Sequence, residues 1–159
     1  MSNTLVSMLN EQINAEFYSA YLYLYFASVL DKKGLVGYAH WYKEQAKEEI
    51  SHGMRIYNFM TDNDLPVKFY SIAVTDESYD EVEDILKRAL EHEKLVTSMI
   101  NELYREAEVE EEYKVTNFLE WFISEQVEEE RNAKDMLSNY YLFSHGGNLY
   151  NLDREAGSR

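Results

Sequence analysis

Four glutamates occupy positions where a helix should be burying carbon. Core positions recur at helical spacing along 5, 9, 12, 16, 20, 23 and 27, and the residue at 16 is Glu16. A second stripe, 42, 46, 49, 53, 56 and 60, carries Glu49, with His52 one turn further on. The third stripe, 82, 86, 89, 93, 96, 100 and 103, carries Glu93, and the fourth, 115, 118, 122, 126, 129, 133 and 136, carries Gln126 and Glu129. All lie near the middle of their helices, so packing the helices side by side gathers them into one layer. Four buried carboxylates without counter-charge would repel one another and lose hydration, at a cost of many kcal/mol, or would have to hold protons. No Lys or Arg falls on the stripes beside them. Two divalent cations would balance the charge, with Glu49 bridging, Glu16 and Glu93 terminal, Glu129 a fourth carboxylate and His52 an imidazole. That oxygen and nitrogen set suits iron or manganese, and ligand type alone does not separate these from zinc.

Taken singly, each of these residues has a plainer reading. A lone core Glu more often sits at a stripe edge and reaches solvent, and Glu-x-x-His is common by chance on an acidic helix. Agreement of four helices at one depth carries the metal reading. Tyr23 lies two turns from Glu16 on the same face; as one of 14 tyrosines it reads first as core and only then as redox-active, with the site within its reach. His40, His92 and His145 fall off the stripes and are expected to be solvated. Trp41 and Trp121 read as packing residues.

The elements that position these residues are punctuated by very few breakers, with one Pro and six Gly in 159 residues. The pattern predicts helices over about 4–33, 37–62, 78–106 and 110–143, and a short amphipathic fifth over 147–156 with Leu149, Leu152 and Ala156 in step. Lys32, Lys33 and Gly34 make a helix end, and Ser78 with Glu81 reads as a capping box opening the third helix. Each long helix would span ~40–48 Å at 1.5 Å per residue. Short links make two antiparallel hairpins, and the long connection over 64–77 can run back along the bundle. The fold expected is all-α: one domain over 1–159, an up-down-down-up four-helix bundle with one crossover, plus the fifth helix.

Composition narrows the function further. The 30 Asp plus Glu against 15 Lys plus Arg give a net charge of -15, which repels polyanions and argues against nucleic acid. The absence of Cys excludes disulfides, thiolate metal sites and thiol nucleophiles. A hydrophobic content of 45% is too high for a disordered acidic chain. Residues 17–30, the most membrane-like stretch, fall short of the ~20 needed to cross a bilayer, and 1–10 lack a secretory pattern, so a cytoplasmic location is expected.

Over nearly its whole length the chain resembles the bacterial non-haem ferritins of the ferritin-like superfamily. The resemblance rests on Glu16 with Tyr23, on Glu49-Ile50-Ser51-His52, on Leu90-Glu91-His92-Glu93, and on Ser124-Glu125-Gln126-Val127-Glu128-Glu129. It implies a first iron held by Glu16, Glu49 and His52, and a second held by Glu49, Glu93 and Glu129 with Gln126 close by. It also implies a third iron site formed by Glu48, Glu125 and Glu128 and sharing Glu129. The fourth helix reads Gln126-x-x-Glu129 where rubrerythrin- or bacterioferritin-like relatives carry a second Glu-x-x-His. Ile50 stands where bacterioferritins place a haem-binding Met, so no haem is expected. The resemblance further implies oxidation of Fe(II) by O2 or H2O2, deposition of Fe(III) as mineral, and a hollow homo-oligomer of 24 subunits whose short last helix lines a channel. Two rivals stay open: a di-metal oxidoreductase that stores nothing, and a metal-free helical scaffold.

Overall fold

Long runs without Gly or Pro, rich in Leu, Tyr, Ala and Glu, set down four long helices: α1 (Asn3–Lys32), α2 (Val36–Asp62), α3 (Val82–Val109) and α4 (Tyr113–Phe143). A short 3-10 turn, His145–Gly147, leads into α5 (Leu149–Ala156). The computed structural model describes residues 1–73 and 77–159, so 74–76 of the expected crossover lie outside the described residues. The described residues contain no strand.

The direction of each helix follows from what its ends touch. Leu5 at the start of α1, Met60 at the end of α2, Leu103 near the end of α3 and Val115 at the start of α4 share one apolar cluster. Leu30 at the end of α1, Tyr38 at the start of α2 and Val82 at the start of α3 belong to a second cluster, against which Tyr140 of α4 packs. Helices α1 and α4 therefore run one way and α2 and α3 the other, the up-down-down-up bundle. Asn10 ties the crossover to α1, its amide nitrogen donating to the Pro66 carbonyl at 3.0 Å and its oxygen accepting from the Lys68 backbone at 2.7 Å.

Two boundaries differ from the sequence expectation. Helix α3 does not open on Ser78. The Glu77 carbonyl accepts from the Tyr25 hydroxyl at 2.6 Å, the Asp80 carbonyl accepts from Lys33, and the Tyr79 ring sits edge-on to Phe26 at 5.3 Å. These anchors hold 77–80 out of the helix, and Glu81 becomes the N-cap, its N–H donating to Asp84 Oδ2 at 3.2 Å. Helix α4 begins at Tyr113 because Glu111 takes a left-handed φ of 56°, turning the chain between α3 and α4.

Helix α5 folds back on the bundle with Leu152 and Ala156 buried. Asp153 Oδ1 accepts the Tyr38 backbone N–H at 2.9 Å, satisfying one of the orphan donors at the start of α2. The approach needs Gly37, where an added Cβ would lie 1.7 Å from the Asp153 carbonyl oxygen. Gly37→Ala should therefore lift α5 off α2 and cost about 2 kcal/mol. Limited proteolysis checks this: cleavage between 143 and 159 should accelerate in the variant, and an unchanged cleavage rate would contradict the packing.

Candidate metal centre

The two apolar clusters do not merge. Between them lies a polar layer contributed by all four long helices: Glu16 from α1, Gln45, Glu49 and His52 from α2, Glu93 from α3, and Gln126 and Glu129 from α4. Glu16 is 0% exposed and Glu129, the most exposed of the carboxylates in this layer, only 5%. The periodicity that builds the core thus delivers these side chains inward as well, and the bundle closes around them.

Potential ligand atoms converge in three groups, each with its atoms within 4.8 Å of one another. The first is Glu16, Glu49 and His52, the second Glu49, Glu93 and Glu129, and the third Glu48, His52, Glu125 and Glu129. Glu49 is common to the first two. Of the residues expected from sequence, Glu128 is not brought in; its side chain is exposed. His52 takes part in the third group in its place, its Nε2 lying 3.8 Å from Glu125 Oε1. Tyr23, fully buried, donates its hydroxyl to Glu93 Oε1, and Gln126 Nε2 donates to Glu93 Oε2 at 3.1 Å.

The charges gathered in this layer are short of partners. His52 Nδ1 lies 3.2 Å from Glu49 Oε2 and 3.8 Å from Glu16 Oε2. Even so, His52 Nδ1 and Glu16 Oε2 remain buried without a hydrogen-bond partner, in a group whose atoms could hold a cation. Burial pushes Glu49 well above the usual carboxylate range, and the neighbouring Glu16 and Glu93 charges add to it. Burial likewise raises Glu93 to about 7 and Glu129 to about 8, the latter helped by repulsion from Glu93. Burial alone would lower the His52 imidazole, but Glu16 and Glu49 override it and lift it to about 11. Burial works against the Glu16 charge too, yet the His52 imidazole holds Glu16 below its usual value. Among the described residues no Lys or Arg pairs with Glu16, Glu49, Glu93 or Glu129. Protons are the only available counter-charge within the layer, and divalent cations would displace them.

Two glutamines absent from the expected site hold these carboxylates in place. Gln12 Nε2 donates to Glu16 Oε1 at 3.1 Å, and Gln45 Nε2 donates to Glu49 Oε1 at 3.0 Å and to Glu129 Oε2 at 2.7 Å. The signal was present as a repeated Gln-x-x-x-Glu, one helical turn, in α1 and α2. His92 is a correction: it is buried, 2% exposed, not solvated. It lies in a second inward row, 85, 89, 92 and 96, that faces α1, where the small Ser19 leaves room. Ser19 Oγ donates to the Ala15 carbonyl at 2.9 Å, so the 2.7 Å contact with His92 is a donation from Nε2–H. Burial lowers His92 to about 4 and keeps it neutral. His40 is half-buried and His145 exposed. Trp121 does pack, edge-on to His52 at 5.3 Å.

Comparison with known proteins agrees with this geometry. A family model for the ferritin-like domain matches residues 6–142. The chain is 32% identical over 159 residues to a probable bacterial non-heme ferritin-like protein of Haemophilus influenzae, covering 99% of this chain and 96% of that one. It is 31% identical to a bacterial non-heme ferritin of Staphylococcus aureus, covering 100% and 96%. Among solved structures, an open pore ferritin from the archaeon Archaeoglobus fulgidus superposes with a TM-score of 0.97 at 38% identity, covering 100% of this chain and 98% of that one.

Proposed function

The chain belongs to the ferritin-like family, and from that premise we propose that it is an iron-storage ferroxidase acting on Fe(II) at a paired metal site. The observation that carries this reading is the pair of residue groups sharing Glu49, with buried atoms of Glu16 and His52 left unpartnered in the first of them. Glu16, Glu49 and His52 hold one Fe(II), and Glu49, Glu93 and Glu129 hold the other. Gln126 and Tyr23 fix Glu93 through hydrogen bonds to its two oxygens.

A pair of irons suits the chemistry because each gives up one electron. Two Fe(II) supply the two electrons that reduce O2, with two protons, to H2O2, or H2O2, with two protons, to two waters. No one-electron oxygen product need be released. The protein's part is to desolvate the pair, orient the carboxylates through Gln12 and Gln45, and supply negative potential that raises local Fe(II). Glu48, Glu125 and Glu129 offer a third position on the way out, toward ferric mineral; Glu128 reaches it only by moving from where it stands. The sequence at Ile50 offers no Met for haem.

The outer face of α1 and α2 exposes Tyr21, Leu24, Ile50 and Met54, an apolar surface that supports self-association, by family likeness into a 24-subunit shell. Among the described residues no helix is long and apolar enough to cross a membrane. We place the protein's work in the cytoplasm, with no nucleic-acid partner.

Aerobic addition of a large excess of Fe(II) over subunits tests storage directly. The iron should stay in solution and co-elute with a large assembly on gel filtration. Turnover of two Fe(II) per chain followed by precipitation of the rest would instead favour a non-storage di-metal oxidoreductase.

A further inference from the structure

Arg159, three residues beyond α5, reaches back across α2 to the edge of the metal layer. Its Nη2 lies 2.8 Å from Glu48 Oε1. Its Nη1 donates to the Gln45 side-chain oxygen at 3.0 Å and to the Trp41 carbonyl at 3.2 Å, and its guanidinium carbon sits 4.3 Å from the centre of the Trp41 ring. The Arg159 carbonyl in turn is 3.1 Å from His40 Nε2, which donates to it. A planar, permanently charged fork is thus seated on an aromatic face and aimed at one carboxylate. Only 19% of the Arg159 side chain is exposed.

Glu48 belongs to the third ligand group, with His52, Glu125 and Glu129. Among the described residues, Arg159 is the one Lys or Arg side chain ion-paired to any member of that group. We propose that Arg159 is an internal counter-ion of the third metal position: it holds Glu48 until a divalent cation arrives and must give up that oxygen for the cation to be fully bound. The inference rests on the third position put forward above.

Two consequences follow from the contacts. The cluster is never bare of positive charge, so metal binding there is an exchange of one cation for another, weaker than the acidic ligands alone would give. That suits a position which loads in passing and empties readily. Arg159 also settles which way the Gln45 amide faces: its oxygen accepts from the guanidinium, which turns the NH2 group toward Glu49 and Glu129. The residue is therefore a positioning group for the paired site and a competitor at the third.

Zn(II), which does not change oxidation state, is the probe, titrated by calorimetry into the assembled protein and its Arg159→Gln and Arg159→Lys variants. The third Zn(II) per chain should bind about three- to tenfold more tightly in Arg159→Gln, the range expected for losing one partly exposed charged hydrogen bond. Arg159→Lys keeps the charge and should stay near the unmodified protein. A second readout uses Trp121→Phe, which leaves Trp41 as the only tryptophan: its fluorescence should change at the third equivalent when Arg159 is present and not in Arg159→Gln. Equal third-ion affinity in the unmodified protein and Arg159→Gln would overturn the counter-ion role. So would equal tightening in Gln and Lys variants, since that reports lost docking of the segment. Binding of only two ions by all three proteins would remove the third position itself, and the counter-ion role with it.

Discussion

Glu49→Ala is expected to slow aerobic Fe(II) oxidation by about a hundredfold or more and to abolish tight binding of both irons. Glu49 is the one carboxylate common to both halves of the pair, and at 2% exposed it sits inside the bundle, where its loss takes a charged donor from both. His52→Ala separates the two halves. Within the pair it removes a ligand from the Glu16 side, and it also removes a member of the third group, so Glu49, Glu93 and Glu129 should still take up their metal ion while rapid oxidation is lost. Stopped-flow absorbance after mixing with Fe(II) in air, with equilibrium dialysis for stoichiometry, reads both effects. Unchanged rapid oxidation in both variants would sink the ferroxidase assignment. Unaltered helical circular dichroism shows that a loss is local.

The second large effect concerns the metal-free protein, which should lose stability as pH rises from about 5 to about 8. Glu93 and Glu129 ionise at about 7 and about 8 in the fold, against 4.5 for an ordinary Glu. Between those values the folded chain keeps protons that the unfolded chain has released, so each rise in pH favours unfolding. His52, lifted from 6.5 to about 11, acts in the same direction above pH 6.5. Glu16, lowered, acts oppositely but only below about 4.5. Glu129→Gln keeps the shape and the hydrogen-bond acceptor while removing one of these protonation costs. It should stabilise the metal-free protein at pH 7.5 by about 2 kcal/mol and flatten the pH slope. Thermal melts in chelator across pH 5–8 decide; a melting temperature that climbs through this window would refute the linkage. The same substitution should weaken metal binding, so stability and activity oppose each other at this residue.

The buried carboxylates of the central layer were legible in the sequence because they break a strong rule at regular intervals. A Glu on a 3.6-residue apolar stripe stands out, and four helices breaking it at mid-length specify a layer without any three-dimensional knowledge. What escaped the sequence depends on which helix lies alongside. His92 was misread because one stripe per helix was assumed, whereas α3 buries a second row against Ser19 of α1. The start of α3 lies beyond Ser78 because contacts from Tyr25 and Lys33 across the fold hold the chain before Glu81 out of the helix, which no local pattern shows. Arg159 is the extreme case: nothing local links it to Glu48, 111 positions earlier by number, except the docking of α5.

The splitting of the apolar core by the polar layer bears on how the molecule comes apart. Each half is a self-contained patch of packing, one built on Leu5, Ile56, Ile100 and Leu119, the other on Phe26, Tyr42, Ile85 and Leu152. With protons alone in the layer, the halves are coupled by helix continuity and a few hydrogen bonds such as Tyr23 to Glu93 and Gln45 to Glu129, so backbone amides in the two should exchange with solvent at different rates. Cations bridging all four helices would rivet the halves together, making the protein's mechanical unity, and not only its chemistry, depend on its cargo.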